Sequence, residues 1–456
     1  MATRGLSAEE ILEQVKASGT SRVRVAAADI DGILRGKFMH TSKFLSAAES
    51  GFGFCNVVFG WDSADVCYDK VDYTGWHTGY PDVLAKIDLS TYRKVPWDND
   101  VPFFLGDFVD ADGQALAICP RQLLKRTIAE AKDMGFSPKF GMEFEWFNFL
   151  ETPKSANDKG FVGLEPLTPG MFGYSILRTS NNAGFFRALM EEMEAFGIPI
   201  EGLHTETGPG VYEVAILYDD PLEAADRGVL FKTAAKEIAY RFGIMATFMA
   251  KVDSKLPGCS GHMHQSLWSE AGENLFYDAK GRHTMSAIFE SYLAGQLLGL
   301  SDLLPFYAPT INSYKRLVKG LWAPTHVTWG VDNRTPALRV IPGSPRSTRL
   351  ETRISGADIN PYLGIAAALA SGLYGIKKGL KLTDVAVVGN AYEVEGARAL
   401  PVNLGEATQA MRSSELAREL FGDTFIDHFA ATRQWEWEQH QRAVTNWELK
   451  RYFEII

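Results

Sequence analysis

Apolar and polar residues alternate most strongly in "SPKFGMEFEWFNFL", and that period of two predicts a strand. "GVYEVAIL", "GHMHQSLW", "ALRVI" and "TRLETRIS" predict further strands. Between them, "GFFRALMEEMEAFG" and "LEAADRGVLFKTAAKEIAYRFG" predict helices. Pro120 and Gly135 bracket "PRQLLKRTIAEAKDMG" as a helix start and stop. Asn360 and Pro361 supply an N-cap and a proline at the first helical position. The stretch "GIAAALASGLYGI" behind them predicts a buried helix, too short to span a bilayer. From about residue 413 onward the chain reads as amphipathic helix. Near the N-terminus "SRVRVAAADIDGILRGKFM" predicts strand, turn and strand, with Val23, Val25 and Ala27 alternating and Asp31-Gly32 in the turn. The pattern is mixed up to about residue 110, where "DADGQAL" predicts another hairpin turn. A domain boundary is expected there, dividing residues 1–110 from 111–456.

Composition narrows the function classes. The chain has 456 residues, 46 Lys and Arg against 56 Asp and Glu, and a formal charge of −10. Nucleic acids and anionic membranes call for a basic surface, so neither is an expected partner. Cys55, Cys67, Cys119 and Cys259 form no C-x-x-C pair, which points to free thiols in a reducing cytosol. The N-terminal "MATRGLSAEEILEQV" lacks the apolar stretch of a signal peptide, so a cytoplasmic protein is expected. No G-x-x-x-x-G-K-[ST] loop and no dinucleotide fingerprint occur. ATP, if used, must be held another way.

Four motifs carry chemistry. In "GMEFEWF", Glu143 and Glu145 are two apart on a predicted strand and point to one face. Two unpaired buried carboxylates would be costly, so that face is not plain core. In "HTETGPGVYEV", Glu206 and Glu213 flank a Gly-Pro-Gly turn that can bring both acids to one centre. In "GCSGHMHQSLW", His262 and His264 share a strand face. In "RSTRLETRIS", Glu351 alternates with Arg349 and Arg353, and arginine pairs with carboxylates or phosphates in a bidentate fork. A solvated acidic surface is the plainer reading of each motif alone. Together they offer oxygen-rich ligation with little nitrogen and no thiolate, which suits Mg²⁺ or Mn²⁺. Hard cations beside arginines are the equipment of phosphoryl transfer.

These motifs, with "DIDGILRGK", "NSYKRLVKGLWAP", "NRTPALRV", "RLETRISGADINPYLGIAAAL" and "VTNWELKRY", occur in the order found in the glutamine synthetase superfamily, which the chain resembles along nearly its whole length. The resemblance implies an α+β fold: a small N-terminal β-grasp domain plus a large catalytic domain on a curved antiparallel sheet. It implies two stacked hexameric rings with active sites between neighbours. By the same likeness Glu145, Glu206 and Glu213 match ligands of a first metal, and Glu143, His262 and Glu351 those of a second. Arg316 matches the arginine on the substrate's α-carboxylate and Arg353 the one near its γ-carboxylate, with Gly258 also lining the substrate. Arg334 and Arg339 match the pair on the phosphates, and Glu201, His264, Ser266 and Arg346 match nucleotide contacts. Asp29 matches a catalytic aspartate reaching into the neighbour's amine site, and Tyr174 a tyrosine lining that site. The implied reaction uses ATP to turn glutamate into an acyl phosphate, from which an amine displaces phosphate.

The chain departs from the family pattern at several positions. Pro257 stands where the family has an asparagine, and Trp322 stands in place of a catalytic glutamate. Residues 55–90 share little with ammonia-using members beyond Asp65. Tyr392 lies near where some members are adenylylated, in surroundings that fit that modification poorly. These features favour a ligase making a γ-glutamylamide from a hydrophobic alkyl or aryl amine. The alternatives are an ammonia-using glutamine synthetase, a ligase acting on another acid, and a non-catalytic assembly protein on the same scaffold.

Overall fold

The computed structural model describes residues 5–456. The first sheet contains β1 (Arg22–Ala28), β2 (Leu34–His40), β3 (Phe52–Cys55), β4 (Asp82–Val95) and β5 (Val101–Val109), in the order β2-β1-β5-β4-β3. It is mixed, because β1 and β5 run parallel. The predicted hairpin joins β1 and β2: Asp29 N–H donates to the Ile33 carbonyl at 3.0 Å, and Gly32 takes the positive φ the turn requires. One face of this sheet packs its own core of Val23, Val25, Phe44, Phe104 and Phe108. The other face contributes Ala26, Ala28, Phe103 and Leu105 to the main core, so the two parts of the chain share buried surface.

The second sheet contains β6 (Ser137–Phe149), β7 (Ile200–Thr205), β8 (Val211–Ile216), β9 (Met245–Thr247), β10 (Gly261–Trp268), β11 (Trp329–Val331), β12 (Leu338–Ile341) and β13 (Arg349–Thr352). The order is β11-β12-β13-β10-β6-β8-β7, with β9 also paired to β6. All pairs are antiparallel except β11 with β12, so the expected antiparallel sheet carries one parallel edge pair. Alternation gives the sheet two unlike faces. Met142, Phe144, Trp146, Met263, Leu338, Val340 and Leu350 are buried under the helices. On that side Gln265 is also buried, and its carbonyl accepts from Tyr292 Oη and Gln296 Nε2, each at 2.7 Å. The opposite face carries the charged residues.

The helices Pro221–Arg241, Ala287–Gly299 and Pro361–Lys377 cover the apolar face. The last of these holds the Ala- and Gly-rich stretch, and its composition reflects close packing. A Cβ on Gly295 would lie 2.1 Å from the Ser371 carbonyl, and one on Gly375 2.1 Å from that of Ser291. Only glycine lets these two backbones approach so closely. The C-terminal helices are Glu415–Phe421, Asp423–Arg442 and Asn446–Tyr452. Among the described residues no helix is long and apolar enough to cross a membrane.

Candidate active site

Register brings the charged residues into rows. Glu143 pairs with His262 across β6 and β10, His264 with Glu351 across β10 and β13, and Glu351 with Arg339 across β13 and β12. On the other side Glu145 pairs with Glu213, and Glu213 with His204 on β7. Shifting any strand by one residue would send its charges into the apolar core.

Two acidic centres result. In one, His262 Nδ1 lies 2.9 Å from Glu143 and 3.5 Å from Glu351, and His264 Nε2 lies 3.4 Å from Glu143. Glu351 is 1% exposed and also meets Arg339 Nη1 at 2.9 Å and Arg353 Nη1. In the other, His204 Nε2 lies 3.3 Å from Glu213, and His204 Nδ1 lies 3.8 Å from Glu206. Glu145 accepts from the Ser260 amide at 2.9 Å and from its hydroxyl at 2.6 Å. The ligand atoms of Glu143, His264 and Glu351 lie within 4.8 Å of one another, as do those of His204, Glu206 and Glu213.

The electrostatics differ between the two centres. Burial would push Glu143 up, but hydrogen bonds with His262 and His264 hold it well below the usual carboxylate range. Burial likewise opposes ionisation of Glu351, and Arg353 outweighs it, bringing the group down to about 2. Glu213 goes the other way, to about 7. Burial raises it, the His204 contact opposes, and the like charges of Glu143 and Glu145 add to the rise. His204 is pushed up to about 9, because its contact with Glu213 outweighs burial. His262 Nε2 is buried with no hydrogen-bond partner. A buried imidazole nitrogen left open in the first centre, and an acid short of positive charge in the second, each fit a divalent cation.

A cavity of about 440 Å³ opens beside Glu143. Of the residues expected there, Glu201, His264, Ser266, Arg334, Arg339 and Arg346 line it together. Arg349, singled out in the "RSTRLETRIS" motif, also lines it, and so do Lys139, Tyr218 and Trp268, which sequence reasoning missed. The same reasoning missed His204 and Ser260 as well, although each sits two residues along the chain from an expected residue.

Arg316 is buried and donates to the Ile354 and Arg353 carbonyls at 3.0 and 3.2 Å. Gly258 abuts it: a Cβ there would lie 2.8 Å from Arg316 Cγ and 2.3 Å from the Ala250 carbonyl. Arg353 Nε donates to the Arg334 carbonyl at 3.1 Å. The Tyr174 ring stacks on His204 with centroids 4.3 Å apart, at the edge of the second acidic centre. Trp322 is 59% exposed and has a positive φ.

Asp29 lies apart from these groups and requires a correction. The expectation had its carboxylate reaching out of its own subunit. It is 3% exposed, accepts from the Asp31 and Ile33 amides at 3.0 and 2.9 Å, and meets Arg35 Nε at 2.8 Å. Those bonds occupy it inside its own hairpin, where it shapes the turn.

Residues 117–452 match the model of the glutamine synthetase catalytic domain. Over 99% of its length the chain is 54% identical to type-1 glutamine synthetase 2 of Dictyostelium discoideum, covering 87% of that protein. It is 40% identical to the glutamate–isopropylamine ligase of a Pseudomonas species, covering 95% of each chain. The solved GmaS/ADP complex superposes with a TM-score of 0.85 at 27% identity, covering 97% of this chain and 99% of that one. The chain belongs to the glutamine synthetase family and is a carbon–nitrogen ligase. Members of the family use ATP, divalent metal ions, glutamate and either ammonia or an amine.

Proposed function

We propose that this ligase joins the γ-carboxylate of glutamate to an organic amine, probed best with hydrophobic alkyl and aryl amines. The observation that carries the reading is Trp322, an indole standing where the resemblance puts a catalytic glutamate, in a chain that keeps the acids and arginines matched to metal, phosphate and substrate. An indole takes no proton and offers only an N–H donor. It disfavours a small, strongly hydrated ammonium ion and favours an apolar group, at about 25 cal/mol per Å² buried. The exposed ring of Tyr174, stacked on His204, adds aromatic surface near the acids and supports the same reading. The 40% identity to a protein named for isopropylamine agrees with it. The 54% identity to a protein named a glutamine synthetase favours a second reading, with ammonia as the amine.

In the proposed reaction a glutamate γ-carboxylate oxygen attacks the γ-phosphorus of ATP, and the bond to the bridging oxygen of ADP breaks. Arg334 and Arg339 oppose the charge gathering on the transferred phosphoryl group. Arg316 and Arg353 hold the two carboxylates of glutamate. The amine nitrogen then attacks the acyl carbon, phosphate departs, and the nitrogen loses a proton. An arylamine, already neutral at pH 7, needs no carboxylate at residue 322 before it attacks. Bound Mg²⁺ or Mn²⁺ would neutralise phosphate charge, held by Glu145, Glu206 and Glu213 on one side and Glu143, His262 and Glu351 on the other. Glu201, His264, Ser266 and Arg346 would hold the nucleotide. Assembly into hexameric rings, two to a dodecamer, is supported by exposed apolar residues at Phe161, Phe172, Ile176, Trp447, Phe453 and Ile455.

The test is an amine panel with ATP-dependent phosphate release and product mass spectrometry. A hydrophobic amine should exceed ammonia in kcat/KM by at least about tenfold, or about 1.4 kcal/mol. Trp322→Glu should narrow the gap. Preference for ammonia over every amine would establish the second reading instead.

A further inference from the structure

Tyr392 has no part in the chemistry above, yet its hydroxyl is turned inward. The residue sits in the short turn Ala391–Glu393, capped by Asn390, whose side-chain oxygen accepts from the Tyr392 amide at 3.1 Å. That turn is fastened to the loop carrying Arg334. Thr335 Oγ1 accepts from the Ala391 amide at 3.0 Å, and Asn333 Nδ2 donates to the Gly389 carbonyl at 2.8 Å. The same loop meets Arg353, whose Nε donates to the Arg334 carbonyl. Tyr392 Oη is buried and has no hydrogen-bond acceptor among the described residues. It faces the Trp322 backbone and lies within the electrostatic reach of Arg316 and Arg353. Arg316 itself makes no ion pair with a carboxylate among the described residues, and its side chain donates to backbone carbonyls.

A buried O–H with an unmet donor calls for an explanation. The two guanidinium groups that act on it bring positive charge to the same region, so the partner that suits the free O–H there is an anionic oxygen. We propose that Tyr392 Oη donates to a carboxylate of the acid substrate, as a third contact alongside Arg316 and Arg353. The Tyr392 turn and the Trp322 loop then form one wall of the acid subsite. This proposal rests on the reading of Arg316 and Arg353 as carboxylate-binding residues. It makes Tyr392 a determinant of which acid is accepted and leaves the choice of amine to other groups.

Tyr392→Phe removes one oxygen and keeps the ring. KM for glutamate should rise about tenfold or more, the effect of losing a hydrogen bond to a charged group. KM for ATP should stay within about twofold. The rise in Tm that glutamate causes in the presence of Mg²⁺ and ADP should shrink in parallel. An unchanged KM for glutamate, or an equal rise for ATP, overturns the proposal. Arg316→Lys, measured beside it, separates two failures. If Arg316→Lys raises the glutamate KM and Tyr392→Phe does not, the tyrosine proposal alone is wrong. If neither does, the reading of the arginine pocket is wrong as well. Should Tyr392→Phe not fold, Thr335→Val loosens the turn instead. The same KM split is expected from it, and its absence overturns the proposal.

Discussion

Arg121 and Glu213 are both ionisable groups largely withdrawn from water, under opposite conditions. Arg121, on the helix Pro120–Asp133, is 2% exposed. It forks onto Asp226 at 2.9 and 2.8 Å and reaches Asp88 on β4 and Asp107 on β5, each at 2.9 Å. Lys125 joins the two β-strand acids, and Tyr362 Oη donates to Asp226 at 2.6 Å. Burial works against Asp88, and the positive charge of Arg121 overcomes it, bringing the acid down to about 2. Every charge there has a fixed partner, and the partners come from two strands of the first sheet and from a helix on the second. Glu213 shares its surroundings with Glu143 and Glu145 and is pushed up to about 7. Buried charge with matched partners ties elements together; buried charge left short of partners stands ready for a ligand.

The contrast can be broken from either side. Glu143→Ala should lower ATP-dependent phosphate release by about a thousandfold or more, some 4 kcal/mol of transition-state stabilisation. Circular dichroism should show the fold unchanged, and a variant with near-normal turnover would remove Glu143 from the chemistry. Arg121→Met should do the reverse, leaving Asp226, Asp88 and Asp107 buried without their main partner. Breaking such a pair costs about 3–5 kcal/mol, read as a lower urea midpoint with m unchanged. A midpoint within error of the parent would show that solvent or Lys125 replaces the arginine.

Two smaller effects sharpen the comparison. Adding Mg²⁺ to chelator-treated protein at about a hundred times its Kd should stabilise it by about 2.7 kcal/mol. Glu213→Gln should abolish that gain, whereas changes at Asp88 should leave it intact. Asp88 has its own signature in acid. Its folded pKa of about 2 lies below its unfolded value of 3.8, so its stabilisation is present above about pH 4 and is lost as pH falls towards 2. The loss is about 2 kcal/mol at most. Asp88→Asn should start lower and lose less stability over that interval; an identical acid slope would exclude Asp88 as its source.

Much of this was legible in the chain. β6 and β10 occupy the stretches that alternation marks, because one face of each is core and the other carries charge. The Asp31-Gly32 turn and the helix from Pro120 follow from local chemistry. β5 was hidden because all nine of its residues are buried, which erases alternation. β13 is shorter than "TRLETRIS" suggests: the chain turns away after Thr352 to carry Arg353 and Ile354 past Arg316. Among site residues, Glu143, His262 and Glu351 lie together, and Glu206 and Glu213 lie together in the second group. The Arg121 cluster was not readable, since its acids are drawn from distant segments and resemble surface charges in the sequence. Asp29 was misjudged for a related reason: nothing local says whether an aspartate before a hairpin serves the turn or projects from it.

The order of strands in the second sheet also bears on how quickly the protein becomes active. β6 lies between β8 and β10, so Glu143 meets its partners only after segments far apart in the chain have closed on one another. Glu351 arrives nearly half the chain later, on β13, which docks against β10. Contacts of such separation form slowly, because the loops they close must first lose their freedom. Secondary structure and collapse can therefore precede a competent site by a wide interval during refolding. Recovery of metal affinity would time the docking of β13 directly, as an internal clock that fluorescence of the early-buried aromatics does not provide.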